Sequence, residues 1–288
     1  IMNLPTRILP GATFSVTLFV GSVFAGGPES RLVEKRPEGG RFVEAKRGFM
    51  VPYQQPIPGS DAVIEMMPIP GGTVSLSTLP PHLPDQPSTE PIEPAIANET
   101  PSTKVSFGPF WIGKYEITMR QYMPYRRLYY QQKRVQARKE RIGESKNDQI
   151  RLTDVDAVTG PTEVYDADVH FRFAGAPDSP VPSASQFATR QYTKWLSLIT
   201  GQTYRLPHRS EWQHACLAGS HSKYCFGNDE NRLKEFAVFA GNIGEDPVTR
   251  RVGSKRPNDW GLYDVHGNVS EYVIEESAVG DQQYGHIA

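Results

Sequence analysis

Cysteine is nearly absent from this chain. Its 288 residues hold two, Cys216 and Cys225. A multi-cysteine disulfide scaffold and a four-cysteine zinc centre are excluded, and neither cysteine has a histidine at zinc-like spacing. A charge excess is also missing: 31 basic residues stand against 32 acidic ones. The chain as a whole therefore makes no electrostatic case for nucleic acid or an anionic membrane. After the first 25 residues no apolar run is long enough to span a bilayer. A nucleotide-binding glycine loop, an HExxH zinc motif and a Ser-His-Asp set are absent as well.

What is abundant is glycine and proline, 25 of each. Together with moderate hydrophobicity they predict a mixed α/β chain with long irregular connections. The opening stretch has one Arg7, then an apolar run from Ala12 to Ala25 with small residues at Val23 and Ala25. This predicts a cleaved secretory leader over 1–25 and an exported product, periplasmic or extracellular, with no membrane span after removal. In such a compartment Cys216 and Cys225 are a candidate disulfide or, if geometry forbids it, two free thiols. Residues 26–61 are polar and rich in Pro and Gly, and read as a mobile arm.

Beyond the arm, "AVIEMMPIPGGTVSLS" (62–77) has strand character on both sides of a Pro-Gly-Gly turn. Residues 78–103 are a proline-rich loop, and 104–118 alternate like a strand through Phe107, Phe110, Ile112 and Tyr115. Thr118 and Gln121 form a capping box, so a helix begins there, with a kink expected at Pro124. The basic stripe on that helix reads as a solvated face. Residues 146–182 read as an insertion. A second helix over 183–201 places Phe187, Tyr192, Trp195, Leu196 and Ile199 on one face and stops at Gly201. A third, after Pro207, turns Trp212, Ala215 and Cys216 inward. Arg205 and Glu211 read as an ion pair tying the turn to that helix, and His208 and His214 as hydrogen-bonding rather than metal-binding residues. From Ser220 to Arg250 aromatics continue without periodicity, so that backbone needs unusual partners.

The order of motifs resembles the sulfatase-modifying factor family, to which the formylglycine-generating enzyme belongs. The residues that carry the likeness are "IPGGTVSL" (69–76), "FWIGKYEIT" (110–118), "YRLPHRSEWQHACLAG" (204–219), "YCFGND" (224–229), "GNI" (241–243) and "VGSKRPNDWGLYDVHGNVSEYV" (252–273). The resemblance covers about residues 62–273 and is nearest the exported, planctomycete-like branch. It implies an α+β, loop-rich fold related to C-type lectins, with small antiparallel sheets and a few helices. The domain division it suggests is a leader over 1–25, the arm over 26–61, an incomplete family domain over 62–277 and a tail over 278–288.

The resemblance also implies chemistry. Family members bind calcium at two places. The pattern "DVHGNVSE" can wrap one ion with the Asp264 carboxylate, the Gly267 and Val269 carbonyls and the Glu271 carboxylate. Calcium takes such oxygen donors, and two acids this close otherwise repel. The second family site would use Asn242, the Ile243 carbonyl and Asp246, with the Val248 carbonyl. In both the ion's role is structural. The departures from the family are His208 for the helix-capping Thr, Ser270 for a Trp, and an end fifteen residues after Val273. The family's two copper-binding cysteines lie in a segment beyond that point, and neither cysteine here matches them. The expectation is therefore structural calcium, no copper, and an exported binding module for a protein or glycan. The alternatives are an oxidase that converts a client cysteine to formylglycine, and a truncated copy without activity.

Overall fold

The computed structural model describes residues 31–77, 102–142, 174–244 and 248–276, and two short strands before them. The elements in chain order are β1 (Phe14–Ser15), β2 (Phe19–Val20), β3 (Val43–Ala45), β4 (Gly48–Met50), β5 (Tyr53–Pro56), β6 (Val63–Ile69), β7 (Gly72–Ser77), β8 (Ser102–Phe107) and β9 (Phe110–Gly113). Helices α1 (Met119–Ile142), α2 (Gln186–Thr200) and α3 (Arg209–Leu217) follow, then a short α4 (Leu233–Phe236) and β10 (Ser270–Glu271). The architecture is α+β with small sheets and long irregular stretches. Among the described residues no helix is long and apolar enough to cross a membrane.

A four-stranded sheet in the order β2-β9-β6-β5 forms the frame. β9 pairs antiparallel with β6, Met67 opposite Ile112. All four residues of β9 are buried, which departs from the expected alternation. The reason is that β9 is an inner strand covered on both faces. Trp111 enters the main core with Ile64, Met66, Tyr122, Tyr192 and Leu196. Phe110 and Ile112 enter a second core with Ile69, Ala215 and Leu262. The Pro-Gly-Gly turn separates two strands as expected, but they go to different sheets, because β7 pairs with β8.

Residues 31–61 are not a mobile arm. β3 and β4 form a hairpin, β5 pairs with β6, and Met50 and Ile57 are buried in the main core. The polar composition misled because β5 is an edge strand whose outward positions face water. The residues predicted as a leader lie outside the described residues except for β1 and β2, which pair with β10 and β9. Of the proline-rich loop read over 78–103, residues 78–101 lie outside them too and Ser102 and Thr103 begin β8, and most of the 146–182 insertion also lies outside.

The helix boundaries follow their caps. The Thr118 N–H donates to Gln121 Oε1 at 2.9 Å and the Gln121 N–H to Thr118 Oγ1 at 3.3 Å, a reciprocal capping box. Ser185 caps α2 through the Ala188 N–H, and Gly201 ends it in the left-handed region, φ 67°. Tyr192, Trp195 and Leu196 are buried as expected, but Phe187 is 42% exposed and Ala188 takes the inward place. The start of α3 is held from afar: the Arg209 N–H donates to Ile274 O and the Ser210 N–H to Glu276 Oε1 at 2.9 Å. His208 contributes no cap oxygen, and its Nδ1 is buried without a hydrogen-bond partner. Instead Glu211 accepts from the His208 N–H at 2.7 Å while bound bidentate to Arg205 at 2.8 Å.

His214 docks α3 against β7. Its ring lies edge-on to Phe107 and Trp260, 5.2 and 4.7 Å between centroids, and its Nε2 is 3.1 Å from Pro70 O. Gly72 leaves no room there for a side chain. Burial lowers the His214 pKa from 6.5, partly offset by the Pro70 carbonyl. The unfolded chain therefore binds a proton that the folded chain resists, so this group's contribution is lost as pH falls through the histidine range. We expect His214→Gln to make the urea midpoint less dependent on pH between about 8 and 5 than in the wild type. Equal slopes in the two chains would place the pH dependence elsewhere.

Candidate functional site

The loop 261–271 is built on two residues that most side chains avoid. Asp264 and Asn268 both have positive φ, 61° and 67°. Asp and Asn tolerate this region better than other non-glycine residues. Gly267 between them lies so close to the Val238 carbonyl that a Cβ would overlap it. The Asn268 N–H donates to that same carbonyl at 2.6 Å. Asn268 also receives the Arg250 N–H on Oδ1 and donates from Nδ2 to Arg250 O, both at 3.1 Å. The loop is thereby pinned to the aromatic-rich irregular region.

Three carboxylates converge on it. Asp264, Glu271 and Glu116, the last just after β9, are 1%, 6% and 2% exposed. Glu116 accepts from the Val269 N–H at 3.1 Å and from Asn268 Nδ2 at 2.8 Å. Glu271 accepts from Trp212 Nε1 at 2.6 Å. Asp264 accepts from the Gly253 N–H through Oδ2 at 2.7 Å, while its Oδ1 is buried without a hydrogen-bond partner. Burial, then the charges of Asp264 and Glu271, push Glu116 well above the usual carboxylate range. Burial raises Asp264 to about 6, held back by the Gly253 N–H. A cavity of about 20 Å³, room for one water molecule or one ion, is lined by Glu116, Glu271, Trp212, Cys216 and Val265 among others.

Uncompensated carboxyls buried together cost several kcal/mol each if charged. A hard cation removes that cost, and oxygen-only donors are the type calcium takes. The donors present thus fit such an ion in kind. Among the described residues no group of three or more His, Cys, Asp or Glu side chains is placed to hold a metal ion as it stands. The Gly267 carbonyl, another predicted ligand, accepts from the Val269 N–H at 3.0 Å.

The other predicted residues fall elsewhere. Asn242 accepts from the Phe239 N–H at 2.8 Å and donates to Ala237 O at 2.9 Å, capping its own turn. The Ile243 carbonyl accepts from the Arg250 guanidinium at 2.6 Å. Asp246 lies outside the described residues. Cys216 and Cys225 are free thiols. Glu116 is the residue that sequence reading passed over. An acid between Tyr115 and Ile117 in "FWIGKYEIT", just past a strand buried on both faces, was the available clue.

Residues 54–285 match the family model of the sulfatase-modifying factor enzyme 1-like domain. The chain belongs to that family. It is 23% identical over 234 residues to the formylglycine-generating enzyme of Mus musculus, covering 74% of this chain and 59% of the mouse protein. It is 31% identical over 99 residues to the chaperone protein LppX of Paenibacillus barcinonensis, covering 28% of this chain and 35% of that one. The chain thus spans less than two thirds of either relative. Among solved structures, PvdO from Pseudomonas aeruginosa is 23% identical with a TM-score of 0.47 and 76% of each chain covered. Treponema denticola variable protein 1 is 17% identical with a TM-score of 0.49 and 80% of each chain covered.

Substituting Gly267 tests the loop geometry. A Cβ there meets backbone, which cannot swing aside, and its relief breaks the bond between Asn268 and Val238. We expect Gly267→Ala to cost roughly 2–4 kcal/mol in equilibrium unfolding. A loss within the range of ordinary surface substitutions would show that the loop is not held this tightly.

Proposed function

We propose that this domain is an exported, calcium-stabilised binding module of the sulfatase-modifying factor family, with a protein or glycan ligand and no oxidase activity of its own. The observation that carries the calcium reading is the burial of Glu116, Asp264 and Glu271 around one loop, with Asp264 Oδ1 left without a donor. Asp264, Glu271 and Glu116 would hold the ion with the Gly267 and Val269 carbonyls. Bound there, calcium would supply the positive charge that lets the three acids ionise. A second ion at Asn242, Ile243 and Asp246 would have to displace the Phe239 N–H and the Arg250 guanidinium. The proposal is therefore one ion, at 264–271. Its role is structural, replacing the ladder that an irregular segment lacks.

A ligand that binds only the folded state stabilises it by mass action, about 2.7 kcal/mol at a hundredfold excess over its dissociation constant. We expect the wild type to melt higher in calcium than in chelator, and Glu271→Ala to melt lower with that difference abolished. Equal melting of the wild type in the two conditions would refute the ion site.

The two thiols support the absence of oxidase chemistry. Selecting copper(I) requires available thiolates. Cys216 is buried, which raises its pKa well above 9, and burial brings Cys225 to about 11. The rival reading, an oxidase that turns a client cysteine into formylglycine, is favoured by family membership and by the likeness to the mouse enzyme. A Cys-x-Pro-x-Arg peptide incubated with copper-loaded protein separates the two. We expect its mass to stay unchanged, and thiol-to-aldehyde conversion that depends on Cys216 or Cys225 would restore the oxidase.

A further inference from the structure

The first turn of α3 already holds an anion, and the fit is incomplete. The Ser210 N–H donates to Glu276 Oε1 at 2.9 Å, so a carboxylate sits on a backbone donor at a helix N-terminus. The other carboxylate oxygen, Oε2, is buried without a hydrogen-bond partner. The Ser210 hydroxyl is in the same condition, on a residue only 1% exposed. His208, which opens the turn, has its Nδ1 buried and unpartnered as well. A hydroxyl that can donate and an oxygen that can accept thus stand idle on two residues that already share one bond. Buried polar groups normally find partners, so Glu276 meets one of the needs of this turn and leaves the others.

The charges around the turn favour an anion. Arg205 is bound bidentate by Glu211 at 2.8 Å, while the Arg209 guanidinium meets Glu275 only at 3.7 Å. Burial, then the charge of Arg205, lowers the His208 pKa from 6.5, against the opposing charges of Glu211 and Glu276. Glu275 and Glu276 are neighbours in the chain, so a movement that withdraws one withdraws the other. What then remains is Arg205 and Arg209 against Glu211 alone, together with the positive end of the α3 dipole.

We propose that the start of α3 is a binding site for a tetrahedral oxyanion of the phosphate class, and that the chain's own Glu276 fills it in cis. A carboxylate is flat and this one is tethered. A free tetrahedral group spreads its oxygens around one centre, so one oxygen takes the Ser210 N–H and another the Ser210 hydroxyl. Arg209, released from Glu275, adds a charge-assisted donor. The strap that carries Glu276 is otherwise held by the Ile274 N–H on Pro207 O at 2.8 Å and the Arg209 N–H on Ile274 O at 2.9 Å, so Glu276 can leave while its base stays fixed. The site shares no residue with the ion site at 264–271 and does not depend on it.

The test is thermal melting of the whole chain in rising phosphate, with chloride balancing the ionic strength. Inorganic phosphate and glycerol phosphate are the two probes, which separate a free ion from an ester. In the wild type Glu276 competes, so the melting temperature should rise only at high concentration. Glu276→Ala should give a saturable rise at a roughly tenfold lower concentration, the size of one charge-assisted hydrogen bond. Glu276→Gln keeps the shape and removes the charge; it should behave the same way, and it carries the test if the alanine variant does not fold. Adding Ser210→Ala to either variant should weaken binding several-fold. A lower midpoint for glycerol phosphate would assign the site to an ester and equal midpoints to the free ion, both in support. Glu276 variants that follow phosphate no differently from the wild type would overturn the proposal. So would tighter binding that survives the loss of the Ser210 hydroxyl undiminished.

Discussion

The burial of the Glu116 carboxylate sets the constraint that most of this structure answers to. Glu116 follows the inner strand β9 and reaches across to the Val269 N–H and the Asn268 amide, more than 150 residues away in sequence. It ties the sheet that carries the main core to the C-terminal loop. It also brings a third acid to Asp264 and Glu271: burial and the charges of those two push Glu116 up, and burial raises Asp264. A fold that places these acids together has to keep them protonated or supply a cation.

Elsewhere in the irregular half, side-chain amides do what a ladder does in a sheet. Asn258 donates to Ala215 O and Cys216 O, closing the end of α3, and accepts from the Trp260 and Leu262 N–H groups. Asn268 serves Arg250 and Glu116 in the same way, and Asn242 serves Phe239 and Ala237. Each is a single residue meeting two or more backbone groups that no ladder pairs. The aromatic stack of Tyr224, Phe226 and Phe236 fills the space between these fixed points. Packing without repeating backbone geometry therefore concentrates stability in a few polar residues.

Local signals in the sequence were legible where the physics is local. The Thr118–Gln121 box, the Gly201 stop and the Arg205–Glu211 pair all lie within a few residues of their partners, and each stands where it was read. The positive-φ loop around Asp264, Gly267 and Asn268 was visible as a cluster of acids, an amide and glycine. Phe187 was misplaced because helical spacing names a face but not its edges. Residues 31–61 were misread because an edge strand and a hairpin carry almost as much polar surface as a tail.

The sequence by itself determined the family, through several motifs in order, and with it the helices, their ends and the acids of one loop. Only the tertiary structure decided which distant groups share that loop. Glu116 joins it because β9 is buried on both faces and its exit points inward. Asn242 and Ile243 are committed to Phe239 and Arg250 because the chain folds back on itself there. His266 meets both the Cys216 sulfur and the Cys225 backbone N–H because the turn that presents Asp264 also carries this ring to them. Such pairings are set by long-range packing, and a contact between groups far apart in the chain leaves no periodicity to read.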